Sequence, residues 1–374
     1  MIPEYGVRSL AEVLPSVLGE STLLGPARAT ALLLVDGLGS ELLRAHPQDA
    51  PFLTSMADAG PLTVGFPSST AISLASLGTG LPPGAHGLLG TSLRLSDEVV
   101  METLRWAEQG THGRVDLRKS FPPEIVQPAD TVFQRAAAAG IGVTVVSRSM
   151  FEGSGLTRAT LRGGTFTGTH AFGDLAAGIV TALGRPGRQL VYGYHADLDA
   201  MGHVHGPGSL AWRLQLRQMD RLVETIVSLL PPDAQLAVTG DHGMVTMDHT
   251  FDADTDPVLR QGVRALTGEP RARHVHAEPG AAADVLARWQ GVLGDAAWTV
   301  SREQAVDEGW FGPLSPHFAD RIGDVVVAAS GTAGVIRSEA EPFLSRLVGQ
   351  HGSLTPAEQL VPLLVAQGKG SVPN

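Results

Sequence analysis

The stretch Ala29-Thr-Ala-Leu-Leu-Leu-Val35, followed at once by Asp36-Gly-Leu-Gly39, decides the fold class of this chain. An uncharged run without polar alternation predicts a strand buried on both faces, the kind found inside parallel sheets. The aspartate and its glycines then fall where such a strand ends. Working outward, comparable runs occur at Gly142 to Val146, Gln189 to Tyr194, Gln235 to Thr239 and Gly323 to Ala328. Helical stretches lie between them. Leu210 to Leu230 places Leu210, Leu214, Leu222 and Ile226 at helical spacing and predicts a core-facing helix. Strands alternating with helices predict an α/β fold with a mostly parallel sheet covered on both faces.

Residues 257–312 differ in texture. Arg271 to His276 alternates like a strand, Ala281 to Leu293 reads as a helix, and Ala297 to Val300 reads as a further short strand. They predict a small inserted α/β cap. The chain then divides into a catalytic core, 1–256 and 313–374, and a cap subdomain, 257–312. His274 and His276 stand two apart on the cap strand, which predicts one shared, exposed face.

Composition narrows the chemistry. The 374 residues include no cysteine, which excludes disulfide scaffolds, zinc ribbons, iron–sulfur clusters and thiol nucleophiles. The net charge is −11, and lysine occurs only at Lys119 and Lys369. An acidic surface argues against a long nucleic acid as partner, because duplex binding needs many phosphate contacts. A small phosphate ester remains compatible, since bound cations invert the local sign. No apolar run reaches the length of a membrane span, and the N-terminus lacks a basic region followed by an apolar stretch. The expected location is therefore cytoplasmic, without a membrane partner. Nothing in the sequence fixes an oligomeric state.

Acidic residues and histidines gather just after the predicted strands, where open α/β sheets build their sites. Asp36 follows the first strand, Asp199 and His203 follow Gln189 to Tyr194, and Asp241 and His242 follow Gln235 to Thr239. His351 lies in Gly349-Gln-His-Gly352. Three carboxylates and three imidazoles suit Zn²⁺ or Mn²⁺ and suffice for two three-ligand sites. Phe66-Pro-Ser-Ser-Thr70 precedes a predicted helix, Ala71 to Leu77, closed by Gly78 and Gly80. Its hydroxyls fit an N-cap. They fit equally a nucleophile at a helix N-terminus, where backbone N–H groups hold an anion.

Taken together, Asp36-Gly-Leu-Gly, Phe66-Pro-Ser-Ser-Thr70, Thr79-Gly-Leu-Pro-Pro-Gly-Ala-His86-Gly, Asp199-Ala-Met-Gly-His203-Val-His-Gly-Pro, Asp241-His242-Gly-Met and His351-Gly resemble the alkaline phosphatase superfamily. Within it they resemble the type I phosphodiesterase/nucleotide pyrophosphatase branch, in order and spacing across nearly the whole chain. The resemblance implies a three-layer α/β/α core and two divalent metal ions, zinc or manganese. It implies Asp199, His203 and His351 on one ion, and Asp36, Asp241 and His242 on the other with Thr70 joining them. It also implies Thr70 as the nucleophile, because the family places that residue nine positions before the Thr of Thr79-Gly-Leu. The helix N-terminus at Ala71 would receive phosphoryl oxygens. The family often has Asn three residues after the nucleophile as a further anion contact; here that residue is Ser73, a shorter donor. His86 reads as structural, Arg321 and Asp324 as a structural pair, and Tyr194 as a pocket-lining candidate or, as is commoner for a strand-end tyrosine, packing.

The function implied is hydrolysis of phosphodiester or pyrophosphate bonds in small, nucleotide-type substrates through a phospho-threonine intermediate. A phosphomonoesterase, phosphonate hydrolase or phosphomutase would use the same ligands. A non-catalytic metal-binding protein is a more distant alternative, since it would need a lost ligand or nucleophile and none is lost.

Overall fold

The computed structural model describes residues 1–111 and 114–368. Its main sheet runs in the order Ala57–Asp58, Leu363–Gln367, Ala234–Thr239, Ala29–Val35, Gln189–His195, Gly142–Arg148, Thr165–Thr169. The strands from Ala234–Thr239 through Thr165–Thr169 are mutually parallel. Leu363–Gln367 and Ala57–Asp58 complete the sheet in antiparallel sense.

Ala29–Val35 shows why the fold has three layers. Every residue of the strand is buried, and successive side chains leave opposite faces of a sheet. Leu32 and Leu34 enter one core, with Ile72, Leu77 and Phe133. Ala29, Ala31, Leu33 and Val35 enter the other, with Ile179, Trp212, Met219 and Ile226. The predicted helix at Leu210 appears as Leu210–Ser228 and buries Trp212, Leu216 and Met219. The helix predicted from Ala71 runs Thr70–Thr79, through Gly78, and ends at the left-handed Gly80.

A second, antiparallel sheet orders Val263–Glu269, Ala272–Ala277, Val325–Ala329 and Ala297–Ser301. This corrects the sequence-based placement of the run at Gly323 to Ala328, which was counted with the main sheet. Its strand pairs with Ala272–Ala277 and Ala297–Ser301 instead. The unit around residues 257–312 therefore draws a strand from beyond 312. Val275, Val325 and Val327 on one face meet Val285, Trp289 and Leu293 of helix Ala282–Leu293. Ala272, Val300, Val326 and Ala328 on the other face join the main core.

His274 and His276 are accordingly buried rather than exposed. His274 donates from Nε2 to the Leu89 carbonyl at 2.8 Å, and His276 Nε2 lies 3.3 Å from Thr267 Oγ1. The strand face they share is covered by the segment after His86. Arg321 does not pair with Asp324. It donates to the carbonyls of Gly87 and Val126 at 2.8 and 3.0 Å, while Asp324 pairs with Arg302 at 2.7 Å.

A buried ion pair ties the second sheet to the C-terminal part of the main body. Arg271 meets Glu358 through Nε at 3.0 Å and Nη2 at 2.7 Å, with both side chains fully buried. Glu358 also accepts the Ser353 N–H at 3.0 Å, and its own carbonyl accepts the Gly243 N–H at 2.8 Å. Arg271 thus anchors both turns that flank the strand-end loops.

Candidate active site

The expected residues converge. Asp36 leaves the end of Ala29–Val35, Asp241 and His242 follow Ala234–Thr239, and Asp199 with His203 lie on helix Asp197–His205 after Gln189–His195. Thr70 opens its helix, and His351 follows the short strand Gly349–Gln350. Two glycines make the approach close enough. A Cβ on Gly37, at φ +74°, would lie 3.0 Å from Asp199 Cα, and one on Gly243 would collide with the Ala357 carbonyl oxygen. No side chain fits at either position.

His242 Nε2 sits at the centre. It lies 3.3 Å from Asp36 Oδ1, 3.6 Å from Asp241 Oδ2 and 3.2 Å from Thr70 Oγ1. Asp199 approaches His203 Nε2 at 3.3 Å and His351 Nε2 at 3.8 Å. Among the described residues, Asp36, Asp241 and His242 form one cluster with donor atoms within 4.8 Å of one another. Asp199, His242 and His351 form another. His203 touches Asp199 but stands outside the tighter triad, so the geometry makes His242 the shared member.

The three imidazoles face the site in the same way. His203, His242 and His351 donate from Nδ1 to the carbonyls of Gly349, Gly243 and Ser68 at 2.7, 2.9 and 3.0 Å. That bond fixes the tautomer and turns each Nε2 lone pair inward, the arrangement that metal-ligating histidines require. Asp36 Oδ1, Asp199 Oδ1 and Asp241 Oδ2 are buried with no hydrogen-bond donor. Buried acceptors normally have a donor. Inward lone pairs beside donor-free carboxylate oxygens fit a pair of divalent cations.

The electrostatics agree. Burial pushes the Asp36 carboxyl up, helped by the charge of Asp199, and burial raises Asp199 as well. Asp241 is pushed up to about 7 by burial and then by Asp36. Burial works against a charged His242, but the carboxylates of Asp241, Asp36 and Asp199 prevail and raise it to about 10. His351 is held well below its ordinary value by burial and by His242. Protons gather where cations would reside.

The hydroxyl cluster also resolves. Ser68 is fully buried and spent on the neighbouring turn: its N–H donates to the Gly352 carbonyl at 3.0 Å and its Oγ to the Ser353 carbonyl at 2.8 Å. Ser69 occupies the N-cap position but makes no capping bond. Thr70 is half-buried, with Oγ toward His242. Among the described residues the N–H groups of Thr70, Ala71 and Ile72 have no acceptor, leaving the helix N-terminus open to an anion.

Ser73 departs from its expected role. Its hydroxyl, fully buried, donates to the Asp241 carbonyl at 2.6 Å, so its one proton supports the Asp241 loop rather than facing an anion. His86 is buried within 3.0 Å of Ser76 Oγ, away from the cluster. Tyr194 does more than pack at its strand end: its hydroxyl donates to Asp36 Oδ2, leaving Oδ1 toward His242. Its place at a strand end beside the Asp36 strand was the available signal.

The family described as type I phosphodiesterase / nucleotide pyrophosphatase matches residues 30–354. The chain belongs to this family. Among solved structures it is similar to murine ectonucleotide pyrophosphatase/phosphodiesterase 5, in an inactive form in complex with AMP, with 15% identity, TM-score 0.68 and coverage of 91% of this chain and 88% of that one. It is also similar to phosphonoacetate hydrolase from Sinorhizobium meliloti 1021 in complex with phosphonoacetate, with 21% identity, TM-score 0.65 and coverage of 93% and 92%. These likenesses concern the fold, a mostly parallel α/β architecture shared with the alkaline phosphatase superfamily. A phosphopentomutase of Anaeromyxobacter dehalogenans is 30% identical over 193 residues, 50% of this chain and 46% of that protein. The matched stretch spans about half the length of that relative. Enzymes of this family and its structural neighbours act on phosphate esters and related bonds. No helix among the described residues is long and apolar enough to cross a membrane.

Proposed function

We propose that this member of the family is a metal-dependent hydrolase of phosphodiester or pyrophosphate bonds in small, nucleotide-type substrates, acting through a phosphorylated Thr70. One observation carries the proposal: inward Nε2 atoms and donor-free carboxylate oxygens gather in two clusters that share His242, and His242 Nε2 lies 3.2 Å from the half-buried Thr70 hydroxyl at an open helix N-terminus. Asp199, His203 and His351 would hold one cation; Asp36, Asp241 and His242 would hold the other, beside Thr70. The mixed oxygen and nitrogen donors suit zinc or manganese. Such cations, when bound, lower the pKa of the threonine hydroxyl and offset charge on the phosphoryl oxygens.

The chain's own groups do the rest. Tyr194 fixes Asp36 by one oxygen. The free N–H groups at Ala71 and its neighbours receive a phosphoryl oxygen as charge builds on it. Thr70 Oγ forms a bond to phosphorus as the bond to the leaving oxygen breaks, and the proton lost from the hydroxyl is balanced by one taken up by the leaving oxygen. Water then attacks the same phosphorus, the Thr70–phosphorus bond breaks, and the hydroxyl regains its proton.

The phosphopentomutase match favours a second reading, phosphoryl transfer within a sugar phosphate on the same scaffold. Parallel rates on bis-p-nitrophenyl phosphate, p-nitrophenyl phosphate, phosphonoacetate and ribose 1-phosphate, with and without chelator, separate the two. The proposal expects the diester to be fastest and chelator to abolish turnover. Isomerisation of ribose 1-phosphate without diester cleavage would replace it by the second reading.

A further inference from the structure

The carboxylates of the cluster are not equally free. Tyr194 stands opposite Leu34 across the sheet and packs against the same core as Ile72 of the Thr70 helix. Its hydroxyl donates to Asp36 Oδ2. The Gly37 N–H donates to Asp241 Oδ1 at 3.0 Å. Each of these carboxylates keeps one bare oxygen, and both bare oxygens turn to one imidazole: Asp36 Oδ1 lies 3.3 Å and Asp241 Oδ2 3.6 Å from His242 Nε2. Asp199 differs. Its Oδ1 is buried without a donor, and its Oδ2 lies 3.3 Å from His203 Nε2, a lone pair turned inward by the bond from Nδ1 to the Gly349 carbonyl. Neither Asp199 oxygen is committed to an N–H or O–H.

This difference bears on which cation each cluster suits. A carboxylate with both oxygens free can give a cation one donor or two. One whose second oxygen accepts a hydrogen bond is confined to one. Asp36, Asp241 and His242 thus offer one donor atom each, and Thr70 Oγ, 3.2 Å from His242 Nε2, is the nearby fourth. Four donors of mixed oxygen and nitrogen type are what zinc takes. Manganese favours six-fold coordination rich in oxygen. Asp199 can add its second oxygen, so Asp199, His203 and His351 suit either ion.

We infer that Tyr194, together with the Gly37 N–H, selects zinc over manganese in the cluster beside Thr70 by confining Asp36 and Asp241 to one donor oxygen each, while the Asp199 cluster accepts both ions. The inference rests on the metal-dependent function proposed above. It gives Tyr194 a task that its ring alone does not perform. The ring packs edge-on against Phe151, with centroids 6.0 Å apart, and that contact does not need the hydroxyl. Tyr192, two residues earlier on the same face, supplies the contrast: it is fully buried, and its hydroxyl has no partner.

The test uses Tyr194→Phe and Tyr192→Phe in the full chain, stripped of metal and titrated with zinc or manganese against a chromophoric chelator. Tyr194→Phe keeps the ring and frees Asp36 Oδ2. One of the two zinc constants is expected to weaken about tenfold or more, with manganese at that site moving less than about threefold, because the freed oxygen offers manganese a further donor. The other zinc constant and both constants of Tyr192→Phe should match the wild type. If Tyr194→Phe fails to fold, the wild type decides: its two sites should differ about tenfold or more in their zinc-to-manganese ratio, and His203→Ala should impair the less selective one. Unchanged constants in Tyr194→Phe overturn the inference. So do equal losses of zinc and manganese, an equal effect of Tyr192→Phe, or wild-type sites of equal ratio. A wild type that binds neither ion overturns the proposed function and this inference with it. A wild type that binds metal and cleaves a diester, with a Tyr194→Phe of unaltered zinc-to-manganese ratio, overturns this inference alone.

Discussion

His242 and His351 stack face to face, with ring centroids 3.5 Å apart and planes within 14°. Two imidazoles this close cannot both carry a proton without strong repulsion. His242 takes it, because three carboxylates surround it, and His351 stays neutral. His351→Ala should therefore remove a neutral donor without releasing a trapped charge. We expect it to fold, to bind less zinc by elemental analysis, and to lose diester hydrolysis by about two orders of magnitude or more. Full zinc content with full rate would remove His351 from the ligand set.

Thr70→Ala should abolish turnover while keeping metal and fold. The side chain has one hydrogen-bond contact, to His242 at 3.2 Å, and does not cap its helix. A rate loss of about three orders of magnitude is expected, as for other activated nucleophiles. Thr70→Ser should keep part of the rate, since the hydroxyl survives but the methyl that restricts its rotamer is gone. Rates on a diester, set beside melting curves, check both.

Arg271→Met should be among the most damaging changes outside the cluster. It strands a buried Glu358 carboxylate that loses two hydrogen bonds. Breaking one partner of a buried pair costs about 3–5 kcal/mol. Urea unfolding followed by circular dichroism measures it, and a cost near zero would mean that Ser353 and Thr355 alone satisfy Glu358.

Stability should fall on acidification below about pH 6.5, where unfolded histidines begin to bind protons. His86, His274 and His276 are held at about 3, about 4 and about 3, chiefly by burial, so the folded chain refuses those protons. The unfolded state then binds more protons than the native one, and stability declines as pH drops from about 6.5 toward 4. Denaturant midpoints at stepped pH should show that slope in the metal-loaded protein, where the carboxylates of the cluster take up no protons. A flat profile would contradict the burial of these rings.

The metal-free centre should behave in the opposite sense. Asp241 is raised to about 7, so its protonated form supports the fold below the unfolded value near 3.8, and that support fades as pH rises through 7. His242, raised to about 10, contributes below its unfolded value near 6.5 and loses that contribution toward 10. Cations replace those protons. Chelation should thus lower the melting temperature more at pH 8 than at pH 5, and zinc affinity should climb over that interval. Equal chelator effects at both values would argue against metal in this cluster.

The sequence made the main sheet and the convergent side chains legible because they are local signals. Ala29 to Val35 announces a buried strand by itself, and each candidate ligand stands directly after such a run. What escaped was nonlocal. Val325–Ala329 looks like any buried strand, and only its partners reveal the second sheet. Leu363–Gln367 was not anticipated, being short and set after Pro362. Ser73 kept a plausible role until its proton proved committed to Asp241. Tyr194 gains its meaning from Asp36, 158 residues away along the chain, and no spacing rule links them.

The strand Leu363–Gln367 lies between Ala234–Thr239 and Ala57–Asp58 rather than at an edge of the sheet. The segment therefore has to insert beside Ala234–Thr239 before Ala57–Asp58 can pair at that edge. Ala234–Thr239, which leads into Asp241 and His242, depends on it to cover one flank. Closure of the cluster is thereby coupled to the docking of this segment: without it the strand that leads into Asp241 and His242 keeps an unpaired edge.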